Sequence, residues 1–556
     1  MPGARLPRPW VTLFFSLALS LAWSLPVWAQ TPTTPPSDPT QPQSEGAQQQ
    51  QQQPTPATQP APPDPTVVPL QQFPIQQPGR PPVTPGIPPS TTIPPWTPPV
   101  APPPSQTNVP APFPLGGGPP GFVGGRPVGA PSAFAPTVTS IRGATLEFHP
   151  TLRAAGEYSD NFFQTTNRSE ENFRSILGPG FTLLLNGART FGTLSTVVDL
   201  VHDTVDNNDD QIKVFPSMFA AVRYSLTPRL GLTVSDAFVR SDSASSVDQS
   251  GIRRGRQTSD TNTFGLTADW LIDRYVTQAY YRNVLFFNEN DNQGNNATAT
   301  SSRNDSITHI VGLNASTRVF TDYIVKGGYE FSRTDQTGGD SGFGGDTTTH
   351  SVFGSAARQF GLFTSAGVTS SYSYQTLDRT RIWNVSLFGS HGIPQGLSVG
   401  GSVGYSRLSN DSDNDENAVS ASLAASYRFA TRAIISVGVS QDFRQTGQQG
   451  ENFGTVQTRS YFGSFLYQIT PFINSTLHVT YSENEPTGTG NIDNGGTQKV
   501  LMYGASVNWQ VLRWLTASLQ YLYTQQTGNN VFNQTVGGNS GDFAENRVTL
   551  SLFATF

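Results

Sequence analysis

Beyond about residue 144 the chain breaks into segments of 9–14 residues that alternate apolar and polar positions, and the connections between those segments alternate in length. This double alternation narrows the fold more than any other feature. In an extended strand successive side chains point to opposite faces, so a period of two gives each segment one apolar and one polar face. In TLEFHPTLRAAGEY (145–158), Leu146, Phe148, Leu152, Ala154 and Tyr158 share one face. Glu147, His149, Thr151, Arg153 and Glu157 share the other. KVLMYGASVNW (499–509) groups Leu501, Tyr503, Ala505, Val507 and Trp509 in the same way. ITHIVGLNASTRV (307–319) aligns Ile307, Val311, Leu313 and Ala315, with His309 interrupting the stripe.

Short connections include NGARTFG (186–192), SLTPRL (225–230), LIDRY (271–275), FATRA (429–433) and VLRW (511–514). Between them come long polar ones such as SDSASSVDQSGIRRGRQTSD (241–260), NENDNQGNNATATSSRND (288–305) and TGNNVFNQTVGGNSGD (527–542). QTLDR (375–379) is short where a long one is due. A soluble sandwich has no reason to sort its loops by length onto alternate rims. A transmembrane barrel does, with tight turns on one side and longer loops on the other. The expected fold class is all-β: a transmembrane, antiparallel, up-and-down β-barrel of about 20 strands (range 16–22), spanning residues 137–556. Tyr224, Trp270, Tyr275, Tyr323, Phe360, Tyr427, Phe429, Tyr467, Phe472, Trp509, Trp514 and Phe556 sit beside the short turns. Amphipathic rings favour the headgroup level, so these residues form the expected aromatic girdle of that rim.

The first quarter of the chain has the opposite character. Arg5 and Arg8 precede the apolar run VTLFFSLALSLAW (11–23), and VWA (27–29) follows. That order of basic, apolar and small residues predicts a signal peptide over 1–29, cut after Ala29. Residues 30–136 hold Gln48–Gln53 and runs such as PPVTPGIPPS and GGGPPGFVGG, and only seven of the 45 prolines lie beyond residue 140. Such a tract neither pairs into sheets nor buries a core, and a disordered periplasmic linker with polyproline II stretches is expected. It is suited to thread peptidoglycan or to fold back into a pore.

The chain stops on VTLSLFATF (548–556), an alternating strand with a terminal aromatic. It resembles the C-terminal signal of Gram-negative outer-membrane proteins. That resemblance implies recognition by their assembly machinery through Leu550, Leu552, Ala554 and Phe556. EYSDNFF (157–163), followed by a strand containing LGPGF (177–181), resembles the β-barrel porin families of exopolysaccharide-export loci. The resemblance covers about 25 residues closely and implies secretion or passage of a surface polysaccharide.

Composition removes several other functions. The chain has no cysteine, so neither a disulfide framework nor thiolate chemistry is open to it. A net charge of −6 gives no reason to expect a nucleic-acid partner. The histidines, His149, His202, His309, His350, His391 and His478, accompany no nucleophile motif, so no enzyme activity and no cofactor are expected. Asp411, Asp413 and Asp415 have the first spacings of a calcium loop, but Glu416 and Ser422 stand where a glycine and a bidentate glutamate belong. Arg253, Arg254 and Arg256 form a basic spot suited to anionic lipopolysaccharide.

The remaining functional surface is the lumen, with Glu147, Arg153, Glu157, Lys326, Glu330, Arg428 and Arg547 as candidate lining residues among many Ser, Thr and Asn. The function expected is a porin or export channel in the outer membrane of a Gram-negative bacterium. It would pass polar solutes passively, with outer-membrane lipid and lipopolysaccharide as neighbours and polysaccharide or peptidoglycan as further candidate partners. The alternative is a structural or adhesive surface protein with a closed lumen and binding loops.

Overall fold

A computed structural model of the chain describes residues 137–141, 144–162, 164, 169–205, 212–242, 258–289, 305–337, 346–361, 363–376, 379–393, 396–410, 415–430, 432–445, 455–487, 497–528 and 542–556. The signal peptide and linker expected over 1–136 lie outside the described residues, as do Arg253, Arg254, Arg256, Asp411 and Asp413.

Among the described residues all regular structure is strand. The chain enters through β1 (Thr137–Ile141) and turns back into β2 (Ala144–Ser159). There follow β3 (Asn172–Gly187), β4 (Thr190–Asp203), β5 (Lys213–Thr227), β6 (Leu230–Ser241) and β7 (Thr258–Ile272). Next come β8 (Tyr275–Glu289), β9 (Asp305–Val319), β10 (Tyr323–Thr337), β11 (Thr347–Phe360) and β12 (Thr364–Gln375). The series continues with β13 (Arg381–Ile393), β14 (Leu397–Ser409), β15 (Glu416–Ala430), β16 (Ala433–Gln445) and β17 (Thr455–Thr470). It ends with β18 (Ile473–Thr487), β19 (Gln498–Leu512), β20 (Leu515–Thr527) and β21 (Phe543–Thr555).

From β2 to β21 each strand pairs antiparallel with the next in sequence, and β21 returns to β2, so twenty strands close into a barrel as the loop pattern requires. Closure removes every lateral edge, which is the condition for a sheet to span a bilayer. The five-residue β1 is an addition to the expected order: it pairs with Ala144–Phe148, below the stretch of β2 that β21 uses.

Period two translates directly into an inside and an outside. On β15 the outward Val419, Leu423, Tyr427 and Phe429 are exposed, and Ser420, Ser422 and Ser426 alternate with them on the inner face. An apolar outside facing lipid inverts the soluble-protein arrangement. The short turns are closed by a recurring irregularity: the register shifts between Ser225 and Thr227, Arg428 and Ala430, Gln468 and Thr470, and Gln510 and Leu512. Such bulges sharpen local twist and let the chain reverse in a few residues.

Aromatic residues ring both rims of the outside. Tyr224, Trp270, Tyr323, Phe360, Tyr427, Phe472 and Trp509 are exposed beside the short turns, and Trp514 stacks on Phe556 at 5.8 Å between centroids. Arg358 lies outward among them, 5.0 Å from the Phe360 ring and 5.4 Å from that of Tyr323, where its guanidinium reaches headgroup level. Toward the long-loop rim Tyr158, Phe173, Tyr329, Tyr372, Trp383, Tyr405, Tyr461 and Tyr503 form a second girdle. That girdle was not legible beforehand, because these rings sit inside strands rather than beside a turn. His309, the interruption on β9, faces outward in its company and hydrogen-bonds the Tyr281 hydroxyl through Nδ1 at 3.0 Å.

Candidate functional site in the barrel lumen

The inner face divides into two unlike walls. Strands β2–β10 with β21 carry the charge. Arg153 Nη1 donates to Asp199 at 2.8 Å. Arg174 bridges Asp203 through Nε at 2.7 Å and Asp242 through Nη1 at 3.0 Å, with Lys213 Nζ 3.6 Å from Asp203. Asn172 secures the same carboxylate at 3.0 Å, and the Phe162 ring lies 5.2 Å from the Arg174 guanidinium. A charge withdrawn from water is tolerated when paired and hydrogen-bonded, and Arg174 meets both conditions. Further round, the Tyr280 hydroxyl donates to Glu330, and Lys326 lies four residues from Glu330 on the same inward face.

Glu147, Arg153, Glu157, Lys326, Glu330, Arg428 and Arg547 lie on the faces of their strands opposite the exposed apolar residues. Glu147 contacts His149 Nε2 at 3.4 Å, Glu157 accepts from Thr549 Oγ1 at 3.4 Å, and Arg547 Nε lies 3.9 Å from Glu545. Arg428 lies apart from these groups, exposed near the short-turn mouth.

EYSDNFF fastens the closing seam. Ser159 Oγ and Gln164 Nε2 both donate to Glu545, each at 2.8 Å. The Asp160 carboxylate accepts from Asn546 N and Nδ2, both at 2.7 Å, and Tyr521 OH donates to Asn546 Oδ1 at 2.7 Å. Asn161 Nδ2 adds a bond to the Ala544 carbonyl at 3.0 Å. Phe163 lies outside the described residues. The motif thus ties the first barrel strand to the last across more than 380 residues of chain.

Strands β11–β20 make the second wall, and most of their inward positions are Ser, Thr, Asn, Gln and Gly. Charge appears there near strand ends, at Glu416, Asp442 and Arg428. Hydroxyls and amides bridge neighbouring strands instead. Asn384 Nδ2 reaches Ser406 at 2.9 Å, Ser402 and Ser422 meet at 2.8 Å, and Thr458 donates to Asn484 at 3.0 Å.

A set of rings lies along the inner face of both walls, each leaning over a glycine directly opposite on the adjoining strand. Phe353 covers Gly328, Phe388 covers Gly367, Phe462 covers Gly438, His478 covers Gly504 and Tyr280 covers Gly312. A Cβ added at Gly328 would stand 2.5 Å from Phe353 Cε1, at Gly367 2.7 Å from Phe388 Cζ, and at Gly504 2.6 Å from His478 Cε1. At Gly312 and Gly438 the ring atoms of Tyr280 and Phe462 come closer still. Only glycine lets the ring settle against the neighbouring backbone, so the rings extend along the wall rather than across the lumen. Each lies five to eight residues from the short-turn end of its strand. At roughly 2.6 Å of height per residue for strands tilted about 40°, that is a belt near mid-barrel.

Water access changes at this belt. Toward the long-loop rim the inward side chains are buried: Ser406, Val456 and Asn484 are 0% exposed, Leu408 1%, and Gln498 and Val500 2%. The five belt rings are partly exposed, Ser422 and Ala424 at their level are open to water, and so is Arg428 below them. Among the described residues no group of three or more His, Asp or Glu side chains is placed to hold a metal ion. Asp415, outside the strands, is hydrogen-bonded by Arg407, which holds its carboxyl below the usual range.

No protein-family profile matches the sequence, and no curated protein matches it. Among solved structures the barrel is similar to the siderophore receptor PirA from Pseudomonas aeruginosa, at 9% identity over 74% of this chain and 80% of that one, with a TM-score of 0.45. It is also similar to the FrpB iron transporter from Neisseria meningitidis, at 11% identity over 74% and 82%, again with a TM-score of 0.45.

Proposed function

We propose that this chain is an outer-membrane channel of a Gram-negative bacterium that passes polar solutes, polymeric sugars among them, through its lumen. The observation that carries this reading is the lumen itself: a closed barrel, apolar outside, whose inner face is mostly polar and, on β15, open to water at Ser422, Ala424 and Arg428 from mid-height to the short-turn mouth. A barrel of about twenty strands is wide enough for an aqueous path unless it is filled. The reading puts the short turns and the linker in the periplasm, and gives VTLSLFATF to the assembly machinery. Outward charged pairs above the second aromatic girdle, such as Arg333–Asp335 at 2.7 Å and Arg459–Glu483 at 3.7 Å, meet the lipopolysaccharide headgroups.

Burial of the inward side chains on the long-loop side favours a second reading, a sealed barrel that works through its loops. Planar-bilayer recording separates the two. Discrete ohmic steps from the refolded chain, compared with a version lacking residues 30–136, are expected for the channel. Silence from both versions, with a folded and heat-modifiable barrel on gels, sinks the channel and leaves the scaffold.

A further inference from the structure

The geometry points to a saccharide-binding belt at mid-lumen, in which Phe353, Phe388 and Phe462 stack the faces of sugar rings while serine and asparagine side chains between them bind the hydroxyls. The inference rests on the channel reading above and deepens it by naming the substrate class, a neutral, linear chain of pyranose rings.

Three features converge on that ligand. First, each of the three phenylalanines points inward against a glycine on an adjoining strand and keeps part of its ring open to the lumen. A flat aromatic face, electron-rich at its centre, complements the C–H-covered face of a pyranose. Second, Phe388 and Phe462 sit on the uncharged wall, and Phe353 stands at its edge, over Gly328 between Lys326 and Glu330 of β10. Phe353 is level with Ser371 and Asn384 along the paired strands, and Phe388 with Ser402 and Ser422. These are the donors and acceptors a sugar hydroxyl needs, and neutral hydroxyls call for no counter-charge. An organic cation would also favour a ring face, but Glu330, the acidic inward side chain beside Phe353, is 5% exposed and already hydrogen-bonded by Tyr280, and Glu416 and Asp442 stand toward the long-loop ends. Third, on β15, two strands from Phe388, the inward face passes at the level of the belt from the buried Ser420 to the water-exposed Ser422 and Ala424. A chain entering along β15 from the short-turn mouth reaches the level of these rings before that covered stretch. Phe353 and Phe388 lean over β10 and β12, about two strand spacings or ~10 Å apart, a span suited to neighbouring units of one sugar chain.

The test is calorimetric titration of the full-length protein, folded in detergent micelles, with a neutral β-1,4-linked glucose hexamer. The wild-type protein should bind it saturably. Phe353→Leu, Phe388→Leu and Phe462→Leu together keep an apolar cover on the glycines but remove the flat faces. At ~0.5–1.5 kcal/mol per stacked ring, the triple variant should bind at least tenfold more weakly. The corresponding Phe→Tyr variant should bind within about threefold of wild type. Equal binding by the leucine variant would reduce the rings to glycine cover and overturn the inference. So would saturation by tetramethylammonium with no response to the hexamer. Conductance without sugar reports on the channel separately: steps without ring-dependent binding refute the belt alone, and ring-dependent binding without steps refutes the channel alone.

Discussion

The assignment of inside and outside can be challenged at two adjacent residues. Leu423 and Ser422 lie at the middle of β15, seven and six residues from its first residue, on opposite faces of one strand. Leu423 is outward and 53% exposed, so in a bilayer it meets acyl chains near the midplane. Ser422 is inward and exposed to the lumen, hydrogen-bonded to Ser402 at 2.8 Å. Leu423→Arg therefore places a cation in hydrocarbon, at a cost of about 2–4 kcal/mol, which lowers the folding equilibrium constant roughly 30- to 700-fold. Ser422→Arg extends the same side chain into water and loses one hydroxyl contact, a change below ~1 kcal/mol. Reversible urea unfolding in lipid vesicles, followed by tryptophan fluorescence, measures both. Equal losses, or a larger loss for Ser422→Arg, would mean that the barrel faces are assigned the wrong way round.

Other expectations concern pairing and turns. Arg174→Met should destabilise the barrel by about 3–5 kcal/mol in the same assay, because both buried carboxylates lose the guanidinium that bridges them and Asp203 keeps only the more distant Lys213 at 3.6 Å; a neutral result would mean that water reaches both carboxylates. Gly396→Ala should cost at least ~1–2 kcal/mol, since Gly396 holds φ +100° and an added Cβ would stand 2.8 Å from the Arg428 carbonyl oxygen. Phe556→Ala removes the stack on Trp514 and should slow the appearance of heat-modifiable barrel in an assembly assay, with the folded form weakened by ~0.5–1.5 kcal/mol. Unchanged assembly kinetics would remove Phe556 from the recognition signal.

Much of the fold was legible because the information is local. Which face a residue takes within a strand depends only on its separation from its neighbours, so Leu146 and Leu152 sort from Glu147 and Arg153 without knowledge of any partner strand. Turn length is equally local, and LIDRY closes with Asp273 at φ 54°, a conformation that Asp tolerates. The second aromatic girdle and the role of EYSDNFF were harder to see, since both depend on where a strand ends in the bilayer or which strand returns to close the ring.

Period, turn lengths, composition and the terminal alternation were determined by the sequence alone: a barrel, its approximate size, and which residues face inward. Only the tertiary structure decided what those inward residues do. Arg174 finds Asp242 from 68 residues away, Glu545 finds Ser159 from 386, and Phe353 finds Gly328 because β10 and β11 settle in one register and no other. The physical reason is that facing is a property of one strand, whereas register is shared by all of them. It is set by closure of the whole ring, and a shift of a single residue would turn every inward group on a strand toward lipid.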